Sequence, residues 1–285
     1  MVIRSWDKVD VGSGGSNMWK VAVGNGRNDG VMRVYGGNYD DHLYEFTYSG
    51  GVWNKVDVGF GGSDIRNVAV GNGRNDGVMR VYGGNDDDHL YEFTYSGGVW
   101  NKVDVGFGGS YMWGVAIGDG RNDGVMRVYG GNYDGHIYEF TYSGGVWNKI
   151  DVGVGGDWME MVAVGSGRND GVMRVYGACD DCHIYEFTYS GGVWNKVDVG
   201  FGGGNWMLDV AVGNGRNDGV MRVYGVGDDK HIYEFTYSGG VWNKVDVGSG
   251  GNIMRGVAIG NGRNDGVMRV YGASKNGYIY EFTWE

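Results

Sequence analysis

Short apolar runs, broken by clusters of glycine, asparagine and aspartate, set the rhythm of this chain. Beginning at Asn67, Val68-Ala69-Val70-Gly71 is short and apolar, and Asn72 to Gly77 is turn chemistry. Val78 to Gly83 then reads as a strand, Gly84 to Asp88 as a polar tip and His89 to Ser96 as a third strand. Gly97-Gly98 turns the chain into a fourth, Val99 to Val105. β-Branched and aromatic runs bounded by Gly, Asn and Asp predict strands joined by hairpins. No segment sustains the 3.6-residue period of an amphipathic helix.

This unit recurs six times. The string G-R-N-D-G-V-M-R-V-Y-G, first at Gly26 to Gly36, returns with its first arginine at Arg74, Arg121, Arg168, Arg216 and Arg263, in steps of 47, 47, 47, 48 and 47 residues. A second phrase, Y-E-F-T-Y-S-G-G-V-W-N-K, follows from Tyr44, Tyr91, Tyr138, Tyr185 and Tyr233. Four strands per unit, six times over, predict an all-β fold, a six-bladed β-propeller with four antiparallel strands (A to D, inner to outer) in each blade. Residues 1–285 form one domain in this reading. The start, Ser5 to Val11, reads as a D strand without its blade, and the end, Tyr278 to Thr283, as a C strand without its D. Residues 1–12 are therefore expected to complete the blade formed by 257–285, closing the ring and removing its open edges.

Composition fits this picture. Sixty-one glycines and no proline suit many short strands and tight turns, and 41% hydrophobic residues can fill a core. A formal charge of −11 argues against nucleic acid or an anionic membrane as partner. No apolar run is long enough for a transmembrane helix, and the first residues lead straight into a repeat, so the expectation is a cytoplasmic monomer or a mature chain whose leader has been cut.

The copies can be compared with one another, and they disagree in two windows. One joins strand D to the next strand A: Ser16 to Lys20, Ser63 to Asn67, Ser110 to Gly114, Asp157 to Met161, Asn205 to Asp209 and Asn252 to Gly256. The other is the B–C tip, for example Asn38 to Asp41 and Cys179 to Cys182. In an up-and-down blade both emerge on one face, leaving the A–B and C–D turns to a constant opposite face. The variable face carries Trp19, Tyr111, Trp113, Trp158 and Trp206, side chains of the kind enriched in binding surfaces. Drift in exposed loops is the plain alternative.

Within the B–C hairpin, pairing about the tip is expected to set Arg33 opposite Glu45 and Tyr35 opposite Leu43. Such a pair is either a cross-strand ion pair or a charged fork offered to a polar ligand between blades. The run R-V-Y, a short polar tip, x-E-F-x-Y-x-G and then Trp resembles the six-bladed fucose-binding lectins of fungi and some bacteria. The resemblance implies a sugar site in which the arginine and glutamate bond hydroxyls while a tryptophan of the next blade covers the apolar sugar face. Carried onto this chain, the sites are Arg33, Glu45 and Trp100; Arg80, Glu92 and Trp147; Arg127, Glu139 and Trp194; and Arg174, Glu186 and Trp242. Ring closure adds Arg222, Glu234 and Trp6, then Arg269, Glu281 and Trp53. The chain departs from the family where strand A ends in glycine rather than an aromatic residue.

Other motifs carry less. The Asn-Asp-Gly turns offer too few carboxylates for calcium and read as hairpin turns. Cys179-Asp180-Asp181-Cys182-His183 spells a haem-attachment pattern, but His183 is the repeat histidine of His42, His89, His136 and His231; a tip disulfide or two free thiols fits better. No nucleophile, phosphate loop or metal-ligand spacing appears, so neither a cofactor nor an enzymatic activity is expected. The leading expectation is a multivalent binding protein for glycans. The alternatives are a module recognising a protein or other macromolecule through its variable face, and a repeat scaffold without a natural ligand.

Overall fold

The structure, a computed structural model, describes residues 11–13, 18–261, 265–275 and 279–284. The first blade comprises β1 (Met18–Gly24), β2 (Arg33–Asn38), β3 (His42–Ser49) and β4 (Val52–Phe60), hydrogen-bonded in that order. The second repeats it with β5 (Ile65–Gly71), β6 (Arg80–Asn85), β7 (His89–Ser96) and β8 (Val99–Phe107). Three further four-stranded blades follow, and the last shows three strands, Met254–Gly260, Arg269–Ser274 and Ile279–Phe282. The blades form a six-bladed β-propeller, as the repeat predicts. The segment 1–10, expected to supply the closing strand, lies outside the described residues, as do Arg263 and the side chain of Trp19. Contact between the first and last blades is nevertheless visible where Lys20 Nζ donates to the Arg255 carbonyl at 3.2 Å.

Two boundaries differ from the sequence reading, each for a local reason. Strand B begins at Arg80 rather than Val78, because Asp76 extends the turn by accepting from the Val78 amide at 2.9 Å and gripping Arg80. Strand A begins at Ile65, inside the window read as a loop. Its first residues therefore belong to the innermost sheet edge around the axis.

The core lies between blades rather than within them. Tyr35, Leu43 and Val58 of the first blade pack on Ile65, Val68, Val81 and Phe93 of the second, and the same cluster recurs around the ring. Tyr35 and Phe93 are wholly buried, each worth about 2–3 kcal/mol by apolar transfer. On the constant face each blade also clasps its neighbour through an asparagine. Asn28, at φ 60°, donates from Nδ2 to the Met79 carbonyl at 2.8 Å and accepts from the Met79 amide at 2.7 Å. Asparagine tolerates the left-handed conformation and offers both a donor and an acceptor, which is why it sits in the G-R-N-D-G turn.

Candidate binding sites on the two faces

The B–C register corrects the expected pairing. Tyr35, not Arg33, lies opposite Glu45, and Leu43 lies opposite Gly37. Because side chains alternate along a strand, the two-residue offset keeps Arg33 on the same sheet face as Glu45 but one step away. There its Nε donates to Thr47 Oγ1 at 3.1 Å and stands 3.6 Å from Glu45 Oε1. Its terminal nitrogens go to Asp29, at 2.7 and 2.5 Å, and to the Val31 carbonyl. Arg33 is 6% exposed and fully engaged, a pattern repeated at Arg80, Arg127, Arg174, Arg222 and Arg269.

The arginine that closes on Glu45 is Arg27, from the turn between β1 and β2. Its Nε donates to Oε2 at 2.8 Å and its terminal nitrogen to Oε1 at 2.6 Å. The Tyr35 hydroxyl donates to Oε2 at 3.1 Å and Thr47 to Oε1 at 3.3 Å, so this wholly buried carboxylate is completely bonded. Burial, with the Glu45 charge beside it, pushes the Tyr35 phenol well above the ordinary tyrosine range and keeps it a donor. The bond to Glu45 likewise raises Arg27. The next blade supplies the opposite wall: the Arg27 guanidinium lies 4.1 Å from the ring centre of Tyr95 and 5.8 Å from that of Trp100.

Trp100 is thus where the resemblance implies, across from Glu45. Its ring stands edge-on to Tyr35 at 6.1 Å and to Tyr95 at 5.2 Å. Its indole nitrogen is buried without a hydrogen-bond partner, and so are those of Trp147, Trp194 and Trp242. An N–H left in that state costs free energy in the folded chain.

The groove recurs three more times with both walls described: Arg74 and Glu92 against Tyr142 and Trp147, Arg121 and Glu139 against Tyr189 and Trp194, Arg168 and Glu186 against Tyr237 and Trp242. Between the fifth and sixth blades Arg216 pairs with Glu234 and lies 3.6 Å over Trp284, lining a cavity of about 310 Å³. Trp6, expected there, lies outside the described residues. Trp53, expected to face Glu281, packs on Tyr48 at 5.3 Å, and Arg263, the counterpart of Arg27 for Glu281, is likewise not described.

The sequence reading passed over Arg27 and Tyr95. Their signal was present, since the G-R-N-D-G arginine falls eighteen residues before each groove glutamate as regularly as the R-V-Y arginine falls twelve before it.

An asymmetric cavity lies on the opposite face. Backbone bonds from the B–C tips to the D–A windows, such as Asp86 N to Asp64 O at 3.2 Å and Asp180 N to Trp158 O at 2.9 Å, bring both variable windows to that face. Each A–B strand pair slips register at one residue of strand A: Trp19, Arg66, Trp113, Glu160, Leu208 and Arg255 in successive blades. Five of these six, joined by Lys20, Met161, Asp180, Trp158 and Trp206, line a cavity of about 300 Å³. Tyr111 packs beside it on Trp113 and Tyr133, and Tyr133 stacks on Trp158 at 4.2 Å.

The remaining motifs have structural partners. Each repeat histidine faces an aspartate across strands C and D, His42 with Asp57 at 3.0 Å being the first. Cys179 and Cys182 are free and buried, and burial raises both thiols, Cys179 to about 12 and Cys182 to about 11. No helix among the described residues is long and apolar enough to cross a membrane.

Fold and sites together define a repetitive six-bladed propeller, an architecture suited to binding or scaffolding. No protein-family model matches the chain, and no curated protein matches it either.

Proposed function

We propose that the chain is a non-enzymatic, monomeric, multivalent carbohydrate-binding protein whose sites are the grooves between blades, with fucose-like sugars as the ligand class. The observation carrying this reading is the repeated facing of an Arg27–Glu45 fork by the Tyr95 and Trp100 rings of the next blade. Held in place by the buried Glu45, the Arg27 guanidinium presents its remaining N–H donors to adjacent hydroxyls, and Tyr95 and Trp100 offer apolar surface to the C–H face of a sugar ring. The arginine assigned to the ligand is Arg27, with Arg33 supporting Glu45 from behind. Arg27 is reachable from solvent, whereas Arg33 is held by Asp29.

Repetition supports the multivalent part of the proposal, since identical weak sites on one rigid body gain avidity on a branched or clustered glycan. Calorimetric titration with L-fucose, D-mannose and D-galactose tests the reading: heat saturating at millimolar or lower sugar supports it, and none at ten millimolar for any of the three removes it.

A further inference from the structure

The axial cavity on the variable face is built from the positions where the repeat breaks its own rules. Each blade carries a bulge at the second residue of strand A, and a bulge re-aims the extra side chain out of the ladder. A repeated bulge would present six identical side chains. The chain instead places arginine, tryptophan, glutamate, leucine and arginine there in the second to sixth blades.

The charges around this cavity divide into satisfied and unsatisfied. Lys20 is paired with Asp209 at 3.1 Å, and Arg66 is forked onto Asp86 with both contacts from Nε at 2.9 Å. Trp113 also spends its indole N–H on Asp86 at 2.9 Å. Arg255, Glu160 and the Asp180 carboxylate have no side-chain hydrogen bond or ion pair among the described residues. Glu160 is half-buried, and a carboxyl held in a partly apolar cavity without a partner is costly. Burial first, then the Asp180 charge, raises its pKa to about 7, against the opposing pull of Lys20, Arg255 and Arg66. Asp180 is itself raised to about 6 by burial and by Asp157, Asp181 and Asp228. Unmet carboxyls and an unmet guanidinium thus share one small space with the rings of Trp158 and Trp206.

We infer that this cavity is a binding site for one small ammonium carboxylate, an α-amino acid with an apolar side chain. Its carboxylate meets Arg255, its ammonium meets Glu160 and Asp180, and its side chain lies against Trp158, Trp206 and Leu208. A zwitterion gives the guanidinium one opposite charge and the pair of carboxyls another to share without adding net charge, which neither a simple acid nor a simple amine does. A cavity of about 300 Å³ admits one residue-sized body and lies at the small end of ligand pockets. This site is separate from the inter-blade grooves and does not depend on their ligand.

The test is calorimetry with L-phenylalanine, 3-phenylpropionate and phenethylamine, the last two lacking one charge each. The expected result is one site per chain, with phenylalanine bound at least about tenfold more tightly than either analogue. Arg255→Met removes the advantage over phenethylamine, and Glu160→Gln the advantage over 3-phenylpropionate. Both variants keep the wild-type melting temperature within a few degrees. With Lys20, Arg66, Arg255 and Asp180 facing Glu160, phenylalanine affinity at fixed ionic strength rises as pH climbs through about 7 and Glu160 ionises, and Glu160→Gln flattens that rise. Phenylalanine binding no better than its analogues, keeping its affinity in both variants, or saturating near six per chain overturns the inference.

Discussion

Arg27 reaches across the head of the β2–β3 hairpin to close both of its ends on Glu45, at 2.8 and 2.6 Å, while lying 4.1 Å from the ring centre of Tyr95 in the next blade. Two arginines therefore serve each groove in different ways. Arg33 is locked to Asp29 and buried; Arg27 holds the buried Glu45 and is the more exposed of the two. Changing Arg33 to Met strips Asp29, Thr47 and the Val31 carbonyl of a shared donor, but Asp29 is exposed enough to be rehydrated, so the expected cost is about 1–2 kcal/mol. Arg27→Met strips the wholly buried Glu45 of its two-pronged cation, leaving it only Tyr35 and Thr47, and is expected to cost about 3 kcal/mol. Guanidinium-chloride denaturation of the two variants separates them, and an equal loss would contradict this division.

Trp100 tests the aromatic wall of the groove. Trp100→Phe keeps most of the packing against Tyr35 and the Val81 cluster, so stability is expected to change by about 1 kcal/mol. Sugar affinity at that one groove is expected to fall about tenfold, because the smaller ring offers less apolar surface to the sugar. Titration at saturating sugar then shows one weak site beside the unchanged ones.

Asn28 tests the clasp between blades. Asn28→Ala removes two hydrogen bonds to Met79 and leaves a residue with a Cβ at positive φ, for an expected loss of about 2 kcal/mol. Asn28→Gly keeps the backbone free and is expected to lose about half as much. Thermal melts of the two variants check the order.

The pH dependence of stability has two limbs of opposite sign. The forks from Arg80, Arg127 and Arg174 hold Asp76, Asp123 and Asp170 down at about 2, below the ordinary 3.8. Their contribution is present above pH 3.8 and is lost as pH falls toward 2. Glu160 and Asp180 are raised, so the folded chain holds their protons more tightly, and that contribution is lost as pH rises from about 4 toward 7. The melting temperature is expected to peak near pH 4 to 5, with Glu160→Gln flattening the upper limb.

Fold and site were legible to different depths. The 47-residue period, the Gly-Gly turns and the runs around His89 to Ser96 identified the propeller, because each is a local signal repeated until chance is excluded. Pairing Arg33 with Glu45 failed because hairpin register depends on where the tip turns, and Asp41 at φ 69° sets that turn in a way composition does not reveal. The roles of Arg27 and Tyr95 were hidden for a further reason. Their contact crosses from one blade to the next, 68 residues along the chain, and no pattern within a single unit encodes it. The bulges at Arg66 and Glu160 were read as loop for the same kind of reason, since a bulge is a property of two strands together.

The proposed sites fall on different faces: repeated grooves on the side of the invariant A–B and C–D turns, and an asymmetric cavity at the axis on the variable side. The most direct measurement of the first is the number of sugar molecules bound per chain when four grooves are disabled together. Calorimetry with L-fucose on the wild type is expected to give close to six equivalent sites, and on the variant with Arg27, Arg74, Arg121 and Arg168 changed to Lys, which keeps a cation beside each buried glutamate but removes the planar fork, no more than two, with the fold intact by circular dichroism. A folded quadruple variant that binds as many sugars as the wild type would contradict the assignment of these grooves.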